Sequence, residues 1–277
     1  MKILGSIINF LNASMTEPTS FGWFHLLSIL LLIIATIFLC KKFKNPDKKT
    51  INKILLIFSL VSIGLEIYKQ FNYTFSYDGI TITADYQWYA FPFQFCSTPM
   101  YIALLAVIVK CEKFHNSLCA YLATFSTFAG ICVFAYPEQV FISTIGINIQ
   151  TMICHGGMIA VGVWLLYSGY VKLQHKTILP ACIIFAVMVA MASIMNEVAN
   201  FTGLLERESF NMFYISPHCD PSLPVYSLVQ EAVPFPISLI IYIIAFTLAA
   251  YLILLIAMAC AKIFGKKTAT KEKVTAN

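Results

Sequence analysis

The sequence predicts an all-α polytopic membrane protein: a bundle of seven transmembrane helices with the N-terminus outside and the C-terminus in the cytoplasm. Three observations lead there. Hydrophobic residues make up 59% of the 277 and charged residues only 11%, against roughly 25% charged in soluble domains. The apolar residues gather into runs of about 18 or more, long enough to cross a ~30 Å hydrocarbon core. Such uniform runs are unlike the ~10-residue alternating strands of a membrane barrel, and only helices or closed barrels satisfy their backbone in lipid. The third observation is that the basic residues fall mostly to one side of these runs.

Residues 1–20 carry one lysine, the broken apolar stretch ILGSIINFL and no small-residue cleavage site. They read as an N-terminal interfacial segment rather than a signal peptide. Seven spans follow, at about 21–40, 51–70, 92–110, 116–135, 146–171, 177–198 and 236–262. Lys41, Lys42, Lys44, Lys48, Lys49 and Lys53 follow the first span, and Lys110, Lys113, Lys172, Lys176, Lys262, Lys266, Lys267, Lys271 and Lys273 fall at later connections on the same side. Only Lys2, Lys69 and Arg207 lie opposite, so the positive-inside rule puts the C-terminus in the cytoplasm.

Two connections are long, about 71–91 and 199–235. The second holds NMFYISPHCDPSLPVY with Pro217, Pro221, Pro224, Pro234 and Pro236, which predicts an extended path over the mouth of the bundle and a candidate lid. Residues 21–262 form the transmembrane domain, and 263–277 read as a solvated basic cytoplasmic tail.

Several function classes drop out. The net charge of +5 is accounted for by topology, so no nucleic-acid partner is implied. Eight of nine cysteines lie in or at the ends of spans, which implies no disulfide framework. His218, Cys219 and Asp220 are adjacent, a spacing unlike metal-ligand patterns, so no metal or other cofactor is predicted. The last span has no lysine for a retinal Schiff base.

What remains is a layer of polar residues inside the membrane, expensive there and therefore a functional signal. By depth, His25, Glu66, Gln94, Cys96, Asn148, His155, Asn196 and Glu197 all fall in the outer half, and the inner half is almost bare. Ser59, Ser62 and Glu66 make one helical stripe, Asn148, Met152 and His155 a second, and Ser193, Asn196, Glu197 and Asn200 a third. Such stripes equally serve as interhelical glue.

In FPFQFCSTPMY, Pro92 fits the first helical position and puts Cys96 just past the first turn, near the positive end of the helix dipole. Pro99 is expected to bend the helix at Cys96 and expose the thiol. His155 is the candidate base at matching depth, with Glu66 or Glu197 to orient its second nitrogen. The competing reading of Cys96 is a small buried hydrophobe.

FGWFHLLSILLL, FPFQFCS, the CHGG of the fifth span, Asn196 and NMFYISP, spread over residues 20–262, together resemble the YwaF-like integral membrane family. The mammalian branch of that family includes a cysteine-dependent phospholipid acyltransferase. The resemblance implies Cys96 as nucleophile and His155 as its partner; the shared depth of His25, Glu66, Gln94, Asn148, Asn196 and Glu197 predicts a supporting polar cavity around them. The resemblance further implies membrane phospholipids and lysophospholipids as substrates and a bacterial plasma membrane as location. The alternative expectation is a small-solute transporter or seven-helix binding protein using the same cavity.

Overall fold

The computed structural model describes residues 2–203, 210–220 and 223–274, so Arg207 and Pro221 lie outside the described residues. Its helices are α1 (Lys2–Leu11), α2 (Trp23–Lys42), α3 (Lys48–Asn72), α4 (Thr98–Ile108), α5 (Glu112–Tyr121), α6 (Thr127–Ala135), α7 (Ile145–Tyr167), α8 (Ile178–Thr202), α9 (Pro224–Ala232) and α10 (Phe235–Val274). A π-helical turn at Leu122–Ser126 joins α5 and α6 into one 24-residue rod.

Among the described residues six helices are long and apolar enough to cross a membrane: α2, α3, the α5–α6 rod, α7, α8 and α10. The expected third span is different. Its helix α4 has 11 residues and is about 16 Å long, half a crossing. The reason lies in Pro99. A proline inside a helix cannot donate to the carbonyl four residues back and clashes with it, so the helix begins at Thr98, with Ser97 as N-cap and Pro99 in the first turn. The Phe95 carbonyl that Pro99 leaves unserved accepts instead from Thr98 Oγ1 at 2.9 Å. Pro92 does not start a helix, and residues 91–97 run as a non-helical segment.

Polar caps and turns account for other boundaries. Asp47 caps α3 by accepting from the Thr50 N–H at 2.9 Å. Gly203, at φ 61°, ends α8 in the left-handed conformation that glycine adopts without strain. The 71–91 connection contains a two-stranded antiparallel hairpin, β1 (Phe75–Tyr77) with β2 (Ile82–Ala84), in register Ser76 to Thr83. Asp78 Oδ1 accepts from the Ile80 and Thr81 N–H groups and closes the turn. Those donors hold its carboxyl below the usual carboxylate range.

α1 lies against β1, where the Tyr77 ring covers Gly5. Its outer face shows Ile3, Leu4, Ile7 and Phe10, the apolar stripe expected of an interfacial helix. The residues after 262 continue α10 as helix through Val274 rather than leaving it as irregular chain.

Where it is described, the 199–235 segment is not an extended lid. Met212, Phe213 and Ile215 are fully buried, so residues 210–216 enter the bundle, and Pro224 begins α9 from the first helical turn, a position that suits proline. Phe213 joins a column of aromatic rings. Phe125 stacks on Phe185 at 4.6 Å and Tyr242 on Phe246 at 4.3 Å, with Phe185 beside both Tyr242 and Phe213.

α7 runs through the centre and α2 along the rim, its surface mostly lipid-facing. Close approach at the centre requires Gly162: a Cβ there falls 1.7 Å from Thr127 Oγ1 and 2.8 Å from the Leu122 carbonyl in the π-turn. Gly162→Ala is expected to force the rod and α7 apart, destabilising by about 1–3 kcal/mol. A lowered melting temperature in detergent checks this.

Candidate functional site

Cys96 sits in a turn closed by the Ser97 and Thr98 N–H groups, both donating to the Gln94 carbonyl at 2.9 and 3.1 Å. It therefore precedes the N-cap of α4 instead of lying past the first turn as expected, and still adjoins the positive end of that helix. The Ser97 side chain and the Cys96 amide lie within hydrogen-bond reach of the sulfur, and the charges of Lys69 and Glu66 act on it through space. Thr98 Oγ1 also meets the buried Tyr121 hydroxyl at 3.1 Å, so the rod braces this turn from below.

Glu66 is buried near the end of α3 and carries a network that the sequence reading passed over. Lys69 Nζ pairs with Glu66 Oε1 at 2.8 Å, and Gln70 Nε2 donates to the same oxygen at 2.7 Å and to the Ala90 carbonyl at 2.8 Å. Tyr86 donates to Gln70 Oε1. The signal was the i, i+3 and i, i+4 spacing of Lys69 and Gln70 from Glu66.

His155, on the buried face of α7 with Asn148 and Met152, donates from Nδ1 to the Thr151 carbonyl at 2.7 Å. A carbonyl only accepts, so Nδ1 carries the ring proton and Nε2 of the neutral ring is a bare acceptor. Among the described residues Nε2 is buried without a hydrogen-bond partner. Neither Glu66 nor Glu197 orients the ring: the tautomer is set within the helix. Lys69 acts through space on His155 as on Cys96, and Cys154, next to His155, lies in electrostatic range of Cys96. Glu66, Lys69, Cys96 and His155 thus gather at one end of the bundle.

The other candidates do different work. Asn148 grips Ile142 with both ends of its amide, Nδ2 to the carbonyl at 2.7 Å and Oδ1 from the N–H at 3.0 Å. Asn196 grips Met212 the same way, at 3.1 and 2.8 Å. Gln94 Nε2 donates to the Asn211 carbonyl at 2.9 Å, and its Oε1 accepts from the Phe213 N–H at 2.9 Å. All three amides act as backbone surrogates. They satisfy irregular chain that lipid would otherwise leave unpaired.

Gln94 and Asn196 together hold the 211–216 turn, in which Phe213 and Tyr214 take φ of 59° and 57°, a strained conformation kept only where the surroundings enforce it.

His25 is fully committed. Its Nδ1 accepts from the Phe21 N–H at 3.0 Å, and Nε2 then donates to the Phe134 carbonyl at 3.1 Å. It ties α2 to the end of α6, away from Cys96. Glu197 turns outward, half exposed, and pairs with His218 Nε2 at 3.0 Å. The α8 stripe therefore turns only Asn196 fully inward.

A family model described as the TMEM164 family matches residues 20–257, nearly the whole chain. The chain belongs to the TMEM164 family. The matched range holds every residue of the Cys96 and His155 cluster and all three amide clamps, and leaves out α1 and the end of α10. No curated protein and no solved structure matches this TMEM164-family chain.

Proposed function

We propose that this membrane protein moves acyl chains between phospholipids and lysophospholipids, or to water, through Cys96 as nucleophile and His155 as base. The observation that carries the reading is the bare, buried Nε2 of His155. A base held in one tautomer with no partner, at the same end of the bundle as a thiol beside a helix N-terminus, has the parts of an activated nucleophile.

In the reaction, His155 Nε2 takes the Cys96 S–H proton as the sulfur attacks an ester carbonyl. The Cys96 amide and the Ser97 hydroxyl are the donors proposed for the developing oxyanion, since the Ser97 and Thr98 N–H groups already serve the Gln94 carbonyl. The C–O bond then breaks, His155 returns the proton to the departing alkoxide, and an acyl thioester and a lysolipid remain. A second lysolipid hydroxyl, deprotonated by His155, attacks the thioester, regenerates the thiol and completes the transfer. Water in its place makes the enzyme a hydrolase.

In this reading, the non-helical segment 91–97 and α4 together make a seventh crossing, the N-terminus is outside and the C-terminus cytoplasmic, as the lysine distribution supports, in a bacterial plasma membrane.

Protein in nanodiscs, incubated with a defined phospholipid, is expected to gain one acyl mass by intact-protein mass spectrometry. The gain is expected to map to Cys96 and to be lost in Cys96→Ala. No adduct and no acyl exchange across a broad lipid panel, in folded protein, would overturn the proposal in favour of a transport or solute-binding cavity.

A further inference from the structure

We infer that the cleft between α4, α5 and α8 is the bed of a single lipid acyl chain, carbonyl end toward Cys96 and methyl end toward Phe114. It is a cleft of about 740 Å³, in the size range of small-molecule sites. Its wall on α8 is the stripe Ile183, Val187, Met191 and Met195, spaced four residues apart and about 18 Å long. Tyr101 and Leu105 of α4 face it across the cleft, and Phe114 and Leu118 of α5 close the far end.

Its origin is the short third crossing. Where α4 lacks its first turns, the non-helical segment of residues 91–97 leaves space that a full helix would have filled. The near end is therefore lined by Phe91, Pro92 and Phe93, which lead along the chain to Cys96. Tyr101 joins the two places, lining the cleft while lying in electrostatic range of Glu66.

Ile183, Val187 and Met191 are 60%, 52% and 45% exposed on the membrane-facing side, so the cleft opens to hydrocarbon. Spread over about 18 Å, 740 Å³ gives a mean cross-section of about 40 Å². A slot of that section accepts an acyl chain along its length, and its opening to hydrocarbon supplies one from the bilayer. The methionines of the wall adapt to a kinked or straight chain. Where it supplies the reacting chain, the inference rests on the Cys96 reading. The bed itself does not require that chemistry.

The test uses the full chain in nanodiscs with two phosphatidylcholines, one carrying a diazirine near the acyl carbonyl and one near the methyl end. After irradiation, the first probe is expected to label Phe91, Phe93 or Met195 and the second Phe114, Leu118 or Ile183. Val187→Trp, or the smaller Val187→Phe, is expected to cut this labelling tenfold or more, and Leu30→Trp on lipid-facing α2 is expected to leave it unchanged. Cys96→Ala retains the pattern, which separates failure of the bed from failure of the acyl transfer. Label spread equally over α2 and α10, labelling with no difference between the two probes, or crosslinks between two copies would overturn the inference.

Discussion

His155→Ala is expected to slow acyl transfer by about 10²–10⁴-fold, the usual contribution of a positioned general base, with little loss of folded protein. The kinetic effect follows from Nε2. It is the buried acceptor without a partner among the described residues, whereas the Glu66 carboxylate is already engaged by Lys69 and Gln70. The small structural effect follows from Nδ1. Its bond goes to the Thr151 carbonyl one helical turn back, an acceptor that α7 already serves through its backbone ladder. Initial rates with a labelled phospholipid and lysophospholipid, read beside melting temperature, separate the two. Added imidazole is expected to restore part of the rate in His155→Ala and none in Cys96→Ala. A His155→Ala rate within twofold of wild type would remove His155 from the chemistry.

Asn196→Leu is expected to be among the most damaging single substitutions for stability. It strands the Met212 N–H and carbonyl, now held at 2.8 and 3.1 Å, beside the fully buried Met212 and Phe213 side chains. Each buried group left unpaired costs about 1–3 kcal/mol, so about 2–6 kcal/mol together, a large part of the 5–15 kcal/mol that ordinarily holds a protein folded. Asn196→Asp keeps the acceptor for the N–H and loses the donor, and is expected to fall between wild type and leucine. Thermal unfolding in detergent, with limited proteolysis at 210–216, reads both. An unchanged melting temperature in Asn196→Leu would show that the turn is held by its aromatic packing alone.

The same residues show how far the chain can be read without its fold. The α3 stripe Ser59, Ser62 and Glu66 and the α7 stripe Asn148, Met152 and His155 are buried together as their 3.6-residue period requires. Long apolar runs gave helices for the same reason: lipid admits little else. The hairpin of residues 75–84 was not read from the sequence, which showed 71–91 only as a long connection. Gln94, Asn148 and Asn196 were visible as buried polar residues, but their partners were not. Gln94 binds chain 117 and 119 residues away, and nothing in local spacing points to such a contact.

Composition and periodicity were therefore sufficient for the class of fold, the membrane environment and the polar faces of α3 and α7, because these depend on the solvent and on local geometry. The start of α4 needed the folded chain. Pro92 and Pro99 both suit a first turn, and the helix starts at Thr98 beside Pro99, after a segment whose Gln94 side chain is spent on the 211–216 turn. The free nitrogen of His155 and the union of Cys96 with Glu66 and Lys69 likewise arise from packing, because which atoms lack a partner is a property of three dimensions.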